Sequence, residues 1–208
     1  MKKNILMVLI PLLVATLIGC NKTDDDNNES SQDKRFNTVV PIQWQDSITL
    51  HMPFYKGTNP PNVEGVYLMK PMVAIYCSER EAGWSAVPEV FRFFNQNDKD
   101  NTVDLESYED YKDRTVTYNI GKGAFISGKD NNFSIFFVTE GYDQAGKTTK
   151  KAMIISGTKT EDGIEKMYYG FLMLDREIES KYMNPGDVHI FMDTDELSEN
   201  TEWNKVGN

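Results

Sequence analysis

The residues that could catalyse a reaction are few in this sequence. Its two histidines, His51 and His189, are far apart in the chain, and each lies in a strand-like run, where histidines are more often structural than catalytic. There is no His-Glu-x-x-His or Gly-x-Ser-x-Gly motif, and Gly121-Lys122-Gly123 lacks the third glycine of a dinucleotide-binding loop. We therefore expect no catalytic residues and no cofactor. A hydrolase that uses one of the histidines is kept as an alternative.

An acidic segment has the spacing of calcium ligands. Counted from Asp98, its oxygen-bearing side chains fall at positions 1, 3, 5, 7, 9 and 12, as in a helix-loop-helix calcium loop. These side chains are Asp98, Asp100, Thr102, Asp104, Glu106 and Glu109. Position six is Val103, where the sharp turn of such a loop requires glycine. We interpret the segment as an exposed acidic loop and keep Asp98, Asp100, Asp104 and Glu109 as a candidate metal site.

Three aromatic residues in polar surroundings are candidate ligand-binding residues. They are Trp84, Trp44 and Tyr55. Exposed aromatic rings in extracytoplasmic proteins can stack on the apolar faces of sugar rings. Most tryptophans in strands belong to the core, so the best candidate is Trp84, which lies between two strand-like runs and is expected on a loop.

The amino-terminal residues indicate export. Lys2 and Lys3 precede an apolar run of about fourteen residues, shorter than the roughly twenty that a membrane-spanning helix needs. Leu17-Ile18-Gly19-Cys20 resembles the bacterial lipobox. This resemblance implies that residues 1–19 are a lipoprotein signal peptide and that Cys20 is acylated, for example with palmitate. The other cysteine, Cys77, lies in an apolar run and is expected to be a buried, inert thiol.

Residues 20–35 are expected to form an acidic, disordered tether, because they offer almost no apolar surface to bury. The run Asp24-Asp25-Asp26 resembles the acidic export signal of Bacteroidetes surface lipoproteins, which implies an outer-membrane protein that faces the medium. The net charge is −10 at pH 7, and loss of Lys2 and Lys3 with the signal peptide makes it −12. Nucleic-acid backbones bind clustered basic residues, so we expect no nucleic-acid partner and a membrane contact through the lipid alone.

Residues 36–208 are expected to form one domain. Nine strand-like runs separated by turn-forming residues predict a mostly β fold, an antiparallel meander that forms a barrel or a two-sheet sandwich. The runs are 42–52, 63–77, 89–94, 115–120, 124–127, 133–140, 150–157, 165–174 and 188–192. Both faces of the run 165–174 are apolar, so its outer face must meet a second sheet, a helix or a ligand. One or two short helices are predicted, at residues 105–111 and 175–182.

The segment Gly65-Val66-Tyr67 is similar to the Gly-x-Trp signature of lipocalins, with tyrosine in place of tryptophan. This resemblance implies a lipocalin-like barrel in which the glycine allows a close approach, Tyr67 closes the floor, and Arg176 lies over that ring. As a whole, the chain resembles the uncharacterised surface lipoproteins of Bacteroidetes, with a weakly lipocalin-like β domain. That resemblance carries no activity with it.

Together these features predict a binding protein. We expect a lipid-anchored extracytoplasmic protein that binds a glycan or another nutrient as an accessory at the outer membrane. One alternative is a lipocalin-like carrier of an apolar small ligand, which would need a cavity of several hundred cubic ångströms. Another is an adhesin or envelope structural protein, which would present a flat aromatic patch.

Overall fold

The computed structural model describes residues 34–110, 118–143, 145–178 and 183–203. The signal peptide, Cys20 and Asp24-Asp25-Asp26 lie outside the described residues, so the expectations drawn from them stay predictions. The fold is mostly β, with an eleven-stranded and almost wholly antiparallel sheet, which confirms the predicted fold class. None of the described helices is long and apolar enough to span a membrane.

Two short helices, α1 (residues 34–39) and α2 (Ile42–Thr49), precede the strands. Pro41 stands just before α2, where its missing N–H costs no helical hydrogen bond. Trp44, Ile48 and Met52 recur every four residues and turn toward the core, with Trp44 half-buried and the other two buried. The prediction of a strand over residues 42–52 was therefore wrong, because this helical spacing decides the local structure.

Eleven strands follow the helices. They are β1 (Thr58–Asn59), β2 (Gly65–Met69), β3 (Met72–Cys77), β4 (Glu89–Asn97), β5 (Thr102–Glu109), β6 (Tyr118–Lys129), β7 (Asn132–Tyr142), β8 (Thr148–Lys159), β9 (Gly163–Arg176), β10 (Val188–Asp193) and β11 (Leu197–Asn200).

Eight of these strands pair in a closed ring. From β4 to β9 each strand is antiparallel to the next, β2 pairs with β4, and β11 lies between β2 and β9. The first residues of β9 pair with β11, whereas its residues 168–172 pair with β10, which in turn pairs with β3. Of the two predicted architectures, the ring of pairings corresponds to the barrel. The same edge of β9 therefore has two neighbours: β11 pairs with its first residues, and the β10–β3 pair lies along its later residues.

Two apolar clusters explain why several strands are apolar on both faces. The inner cluster fills the barrel with side chains such as Phe91, Ile135 and Met153. The outer cluster joins residues of α1, α2 and the loop after them to outward side chains such as Phe136 and Ile154. The helices therefore provide the cover that the apolar outer faces of the central strands require.

Several element boundaries differ from the predicted ones. Residues 102–109 form strand β5 rather than a short helix, with Val103 and Leu105 in the barrel core. The run 63–77 is two strands, interrupted at Lys70–Pro71. The run 175–182 begins as the last two residues of β9, and its residues 179–182 lie outside the described part. Residues 118–120 and the run 124–127 belong to the single strand β6, which has an irregular register between Ile120 and Phe125, and residues 115–117 lie outside the described part.

The end of the barrel at which β11 closes the ring, called the floor here, is plugged by Tyr67. Its ring is 1% exposed, and its hydroxyl donates to the carbonyls of Val63 (3.0 Å) or Glu64 (3.2 Å). A Cβ atom on Gly65, whose φ is 153°, would lie 2.5 Å from the Tyr67 hydroxyl, so only glycine fits there. The cation over the Tyr67 ring is Lys159, at 5.5 Å, whereas Arg176 donates to Asn184, so the expected position of Arg176 was wrong.

Candidate functional site

Polar side chains take inward positions at the other end of the barrel, called the mouth here. On β4, Glu89 has the same phase as the core residues Phe91 and Phe93, and on β8, Lys151 has the phase of Met153. Side chains alternate along a strand, so these two charged groups face the barrel interior. Both are almost completely buried, with exposures of 4% and 3%.

Strand register gathers more polar groups around Glu89. It stands opposite Glu109 on β5, and Ser107 stands opposite Asn119 on β6. The Ser107 hydroxyl donates to Glu89 Oε1 at 2.5 Å, and Asn119 Nδ2 donates to Ser107 Oγ at 3.2 Å. Three neighbouring strands therefore carry a connected polar network that faces into the barrel.

The protonation of this network is set first by burial. The pKa of Glu89 is raised to about 7, chiefly by desolvation and also by the neighbouring charge of Glu109, against the hydrogen bond from Ser107. Desolvation also lowers the pKa of Lys151, although the charges of Glu89, Glu109 and Asp143 oppose that shift. Near neutral pH the Glu89 carboxyl is therefore partly protonated.

A cavity of about 500 Å³ opens at the mouth above this network. One side is an aromatic wall formed by Trp84, Tyr169, Phe171 and Phe191. Trp84 stands edge-on to Phe191 at a centroid distance of 5.4 Å, and Phe171 stacks on Phe191 at 6.1 Å. The strands β4, β5 and β6, across the ring from β9, carry the lining residues Glu89, Glu109 and Asn119, whereas Lys151 on β8 lies beside the wall, 5.1 Å from the centroid of Phe171.

The loop between β3 and β4 holds Trp84 in this wall. The loop folds back on β3, with Ala74 N donating to Trp84 O at 2.9 Å and Ala86 N donating to Met72 O at 2.8 Å. The guanidinium of Arg80 lies 4.1 Å from the centroid of the Trp84 ring. Trp84 is therefore fixed by backbone pairing and by a cation on its face.

His189 and Glu79 form a hydrogen-bonded pair at the rim, with His189 Nε2 and Glu79 Oε1 2.6 Å apart. Burial lowers the pKa of His189 and outweighs the opposing effect of Glu79. Partial burial would raise the pKa of Glu79, but the bond from His189 and the charge of Arg80 hold it below its ordinary value. We therefore assign a neutral imidazole whose Nε2–H donates to an ionised Glu79.

The hydrolase alternative needs a nucleophile beside one of the histidines. Within the described ranges, neither the hydroxyl of a serine nor the thiol of Cys77 hydrogen-bonds to His189. His51 stacks on Tyr76 at 3.9 Å. The described geometry therefore gives neither histidine the arrangement of a nucleophile and its base.

Three buried polar atoms at this end have no hydrogen-bond partner among the residues that the structure describes. They are Trp84 Nε1, Asn119 Oδ1 and Thr149 Oγ1. Asn119 and Thr149 are 2% and 4% exposed, and Trp84 and Asn119 line the cavity. A buried polar atom without a partner costs free energy, so these atoms are suited to meet the polar groups of a bound molecule.

The structure places only one of the three candidate aromatic residues at the cavity. Trp84 lies on a loop and lines it, whereas Trp44 packs on α2 against the outer cluster. Tyr55 lies in the segment before β1, where its backbone N–H and C=O bond to Ser134 and Ser127. Trp44 and Tyr55 therefore lie outside the barrel and do not share a site with Trp84.

The four candidate metal ligands are not brought together. Asp98 and Asp100 lie in the β4–β5 turn and accept bonds from the amides of Gln96 and Asn97. Asp104 and Glu109 lie on β5, five residues or about 17 Å apart, and Glu109 lines the cavity. The spacing that suggested a calcium loop therefore falls on a β-hairpin. Across the described ranges, no group of three or more His, Cys, Asp or Glu side chains is placed to hold a metal ion.

Sequence reasoning missed Glu89, Asn119, Lys151 and His189 as members of one site. A signal for two of them was present, because Glu89 and Lys151 occupy the apolar phase of strands that are otherwise apolar on that face. No protein-family model, curated protein or solved structure matches the chain.

Proposed function

We propose that this protein is a binding protein that takes one small ligand with a ring into the mouth of its barrel. The observation that carries the proposal is the cavity of about 500 Å³, whose lining combines an aromatic wall with two buried polar atoms, Trp84 Nε1 and Asn119 Oδ1, that have no partner in the described residues. Pockets for small ligands commonly measure 300–1,000 Å³ and combine apolar walls with a few placed polar groups.

A sugar or another nutrient with a ring suits this lining. The apolar face of the ring would pack on Trp84 and Phe191, and its hydroxyl groups would bond to Trp84 Nε1 and Asn119 Oδ1. An apolar ligand, the main alternative, would bury Glu89, Glu109 and Lys151 against hydrocarbon, which is unfavourable for charged groups. The lining therefore supports a glycan fragment or similar polar nutrient over an apolar cargo.

The location of the protein is part of the same proposal. The lipobox resemblance at Cys20 and the acidic run after it support a lipid-anchored protein at the outer membrane, facing the medium. In that position a domain with a ligand-sized cavity would act as an accessory that captures a nutrient before uptake.

The test is binding of a panel of mono- and disaccharides, aromatic compounds and fatty acids to the full-length protein in detergent. Calorimetry would compare the wild type with Trp84→Ala and with Trp203→Ala, a matched variant that removes an indole lying against Tyr108 rather than at the cavity. We expect a ring-bearing polar compound to bind and its affinity to fall at least about tenfold only in Trp84→Ala, which equals about 1.4 kcal/mol.

Three results would contradict this proposal. Binding of fatty acids alone would show an apolar carrier instead. Equal losses in Trp84→Ala and Trp203→Ala, or no binding by any compound of the panel, would remove the cavity as a ligand site.

A further inference from the structure

The imidazole of His189 lies among the aromatic side chains at the mouth. It lines the cavity, and its ring centroid is 5.7 Å from that of Trp84, 5.6 Å from that of Phe171 and 5.9 Å from that of Phe191. The His189 side chain is 3% exposed. Beside the aromatic wall, the cavity therefore has a buried ring with two nitrogens that can form hydrogen bonds.

Glu79 decides which of these two nitrogens carries the proton. His189 Nε2 lies 2.6 Å from Glu79 Oε1, and an ionised carboxylate can only accept a hydrogen bond. The proton of the neutral imidazole is therefore held on Nε2, which leaves Nδ1 as an acceptor. Among the residues that the structure describes, none forms a hydrogen bond with Nδ1. Because His189 lines the cavity, Nδ1 is the nitrogen left to meet a bound molecule.

Trp84 adds a donor next to this acceptor. Trp84 Nε1 is buried and has no hydrogen-bond partner in the described part of the chain, and the Trp84 ring stands edge-on to the His189 ring. A hydroxyl group both donates and accepts, so it suits the two nitrogens together. An ammonium group has no acceptor for Trp84, and a carboxylate has no donor for His189.

We propose that the cavity selects a ring that carries a hydroxyl group, and that this hydroxyl donates a hydrogen bond to Nδ1 of His189. The inference rests on the proposed function, because it names the ligand class and a specificity-determining residue of the same cavity. Glu79 is a positioning residue in this arrangement, since it acts on the ligand only through the imidazole. A phenol and a sugar both present such a hydroxyl, and the test has an arm for each.

The test uses compounds in which fluorine replaces one hydroxyl group, because fluorine cannot donate a hydrogen bond. Phenol is compared with fluorobenzene, and glucose with its 2-, 3-, 4- and 6-deoxyfluoro derivatives, by calorimetry on the full-length protein in detergent. The pH is 7.5, at which phenol keeps its proton. In at least one arm we expect replacement of a hydroxyl to weaken binding at least about fivefold, because the buried acceptor then has no donor.

The variant His189→Phe keeps an aromatic ring at this position and removes Nδ1. We expect it to reduce the preference for the hydroxyl compound to less than about twofold. His51→Phe is the matched control, because His51 stacks on Tyr76 and does not line the cavity. It should keep the full preference.

A spectroscopic measurement tests the role of Glu79 and does not depend on the folding of His189→Phe. Long-range proton–nitrogen NMR of nitrogen-15-labelled protein shows which ring nitrogen carries the proton, and the chain has two histidines to assign. In the wild type we expect the His189 proton on Nε2 and a shift of the Nδ1 signal when phenol or glucose binds.

In Glu79→Gln the side-chain amide can also donate to the ring, so we expect a mixture of the two His189 tautomers. Glu140→Gln, at a side chain that is 82% exposed and outside this cavity, should leave the wild-type spectrum unchanged. An unchanged His189 tautomer in Glu79→Gln would remove the positioning role from Glu79.

The outcomes separate this inference from the function on which it rests. Equal affinities within both arms, a preference that survives in His189→Phe, or a proton on Nδ1 of His189 in the wild type would overturn the hydroxyl inference and leave the cavity as a ligand site. Binding of another panel compound while neither phenol nor glucose binds would do the same. Absence of binding by every compound would overturn both proposals.

Discussion

The floor and the mouth of this barrel are built from the same strands but filled with opposite chemistry. At the floor, Tyr67 and its neighbours fill the interior and β11 closes the ring. At the mouth, the inward positions of β4 and β8 carry Glu89 and Lys151, and a cavity takes the place of a packed core. Buried charges cost free energy, so the mouth destabilises the fold, and apolar packing at the floor must offset that cost.

The largest effect is expected from emptying the floor. Tyr67→Ala removes a fully buried ring and should lower the free energy of unfolding by about 3–5 kcal/mol. Tyr142→Ala is the matched control, because Tyr142 is 56% exposed, and it should cost less than about 1 kcal/mol. Urea denaturation of both variants measures this difference, and equal losses would show that the floor is not the stabilising end.

The next effect belongs to the mouth and depends on pH. Glu89 has a raised pKa of about 7 in the folded protein and an ordinary value of 4.5. As the pH rises from 4.5 to 7, the unfolded chain loses this proton first, so the folded state loses stability. Over this range the free energy of unfolding falls by roughly 3 kcal/mol because of Glu89.

The measurement is urea denaturation of the wild type and Glu89→Gln across pH 4 to 8. Between pH 4 and pH 8 the free energy of unfolding of the wild type should fall by about 3 kcal/mol more than that of the variant. The glutamine has no carboxyl to titrate, but it can still accept the hydrogen bond from Ser107. Parallel pH profiles of the free energy of unfolding would show that burial at the mouth does not raise the pKa of Glu89.

A smaller effect tests the close approach at the floor. Gly65→Ala would place a methyl group 2.5 Å from the Tyr67 hydroxyl and should cost about 1–3 kcal/mol more than Gly123→Ala. Gly123 also has a positive φ, 62°, but nothing lies within 4 Å of its added Cβ. The difference therefore reports the clash with Tyr67 together with the strain of a φ of 153°, which an L residue adopts less readily than 62°, and equal melting temperatures would show that the chain relieves both.

The smallest effects on stability are expected at the mouth surface. Trp84 lies half-buried on a loop, so Trp84→Ala should lower the free energy of unfolding by less than about 2 kcal/mol while it weakens ligand binding. Thermal denaturation beside the binding assay checks this separation. A loss as large as that of Tyr67→Ala would mean that Trp84 is a core residue.

The sequence predicts the β character and the meander well, because turn residues and period-two alternation are local signals. It does not choose between barrel and sandwich, since ring closure depends on β11, a four-residue strand whose two pairings join distant parts of the chain. Residues 105–111 misled the helix prediction through their aromatic spacing, although Val103, Leu105 and Ser107 alternate as a strand. Long-range pairing decided the structure there.

The site was harder to predict than the fold. Trp84 was found because its loop position follows from the strand-like runs on either side. Glu109 was noticed for its spacing from Asp98, but its partner is Glu89 across the β4–β5 pair, which only the register reveals. Lys151 joins them from β8, four strands away in the ring from β4, and no local pattern contains that contact.

The chain enters the domain on the floor side, at the end away from the cavity. Arg35, in α1, lies over Phe125 at 5.4 Å and reaches the backbone of Asp100 in the β4–β5 turn, which belongs to the floor. The fifteen residues from Cys20 to Arg35 can span at most about 50 Å. With the proposed lipid on Cys20, the tether would join the domain at its floor side, which leaves the mouth free to face the surrounding solution.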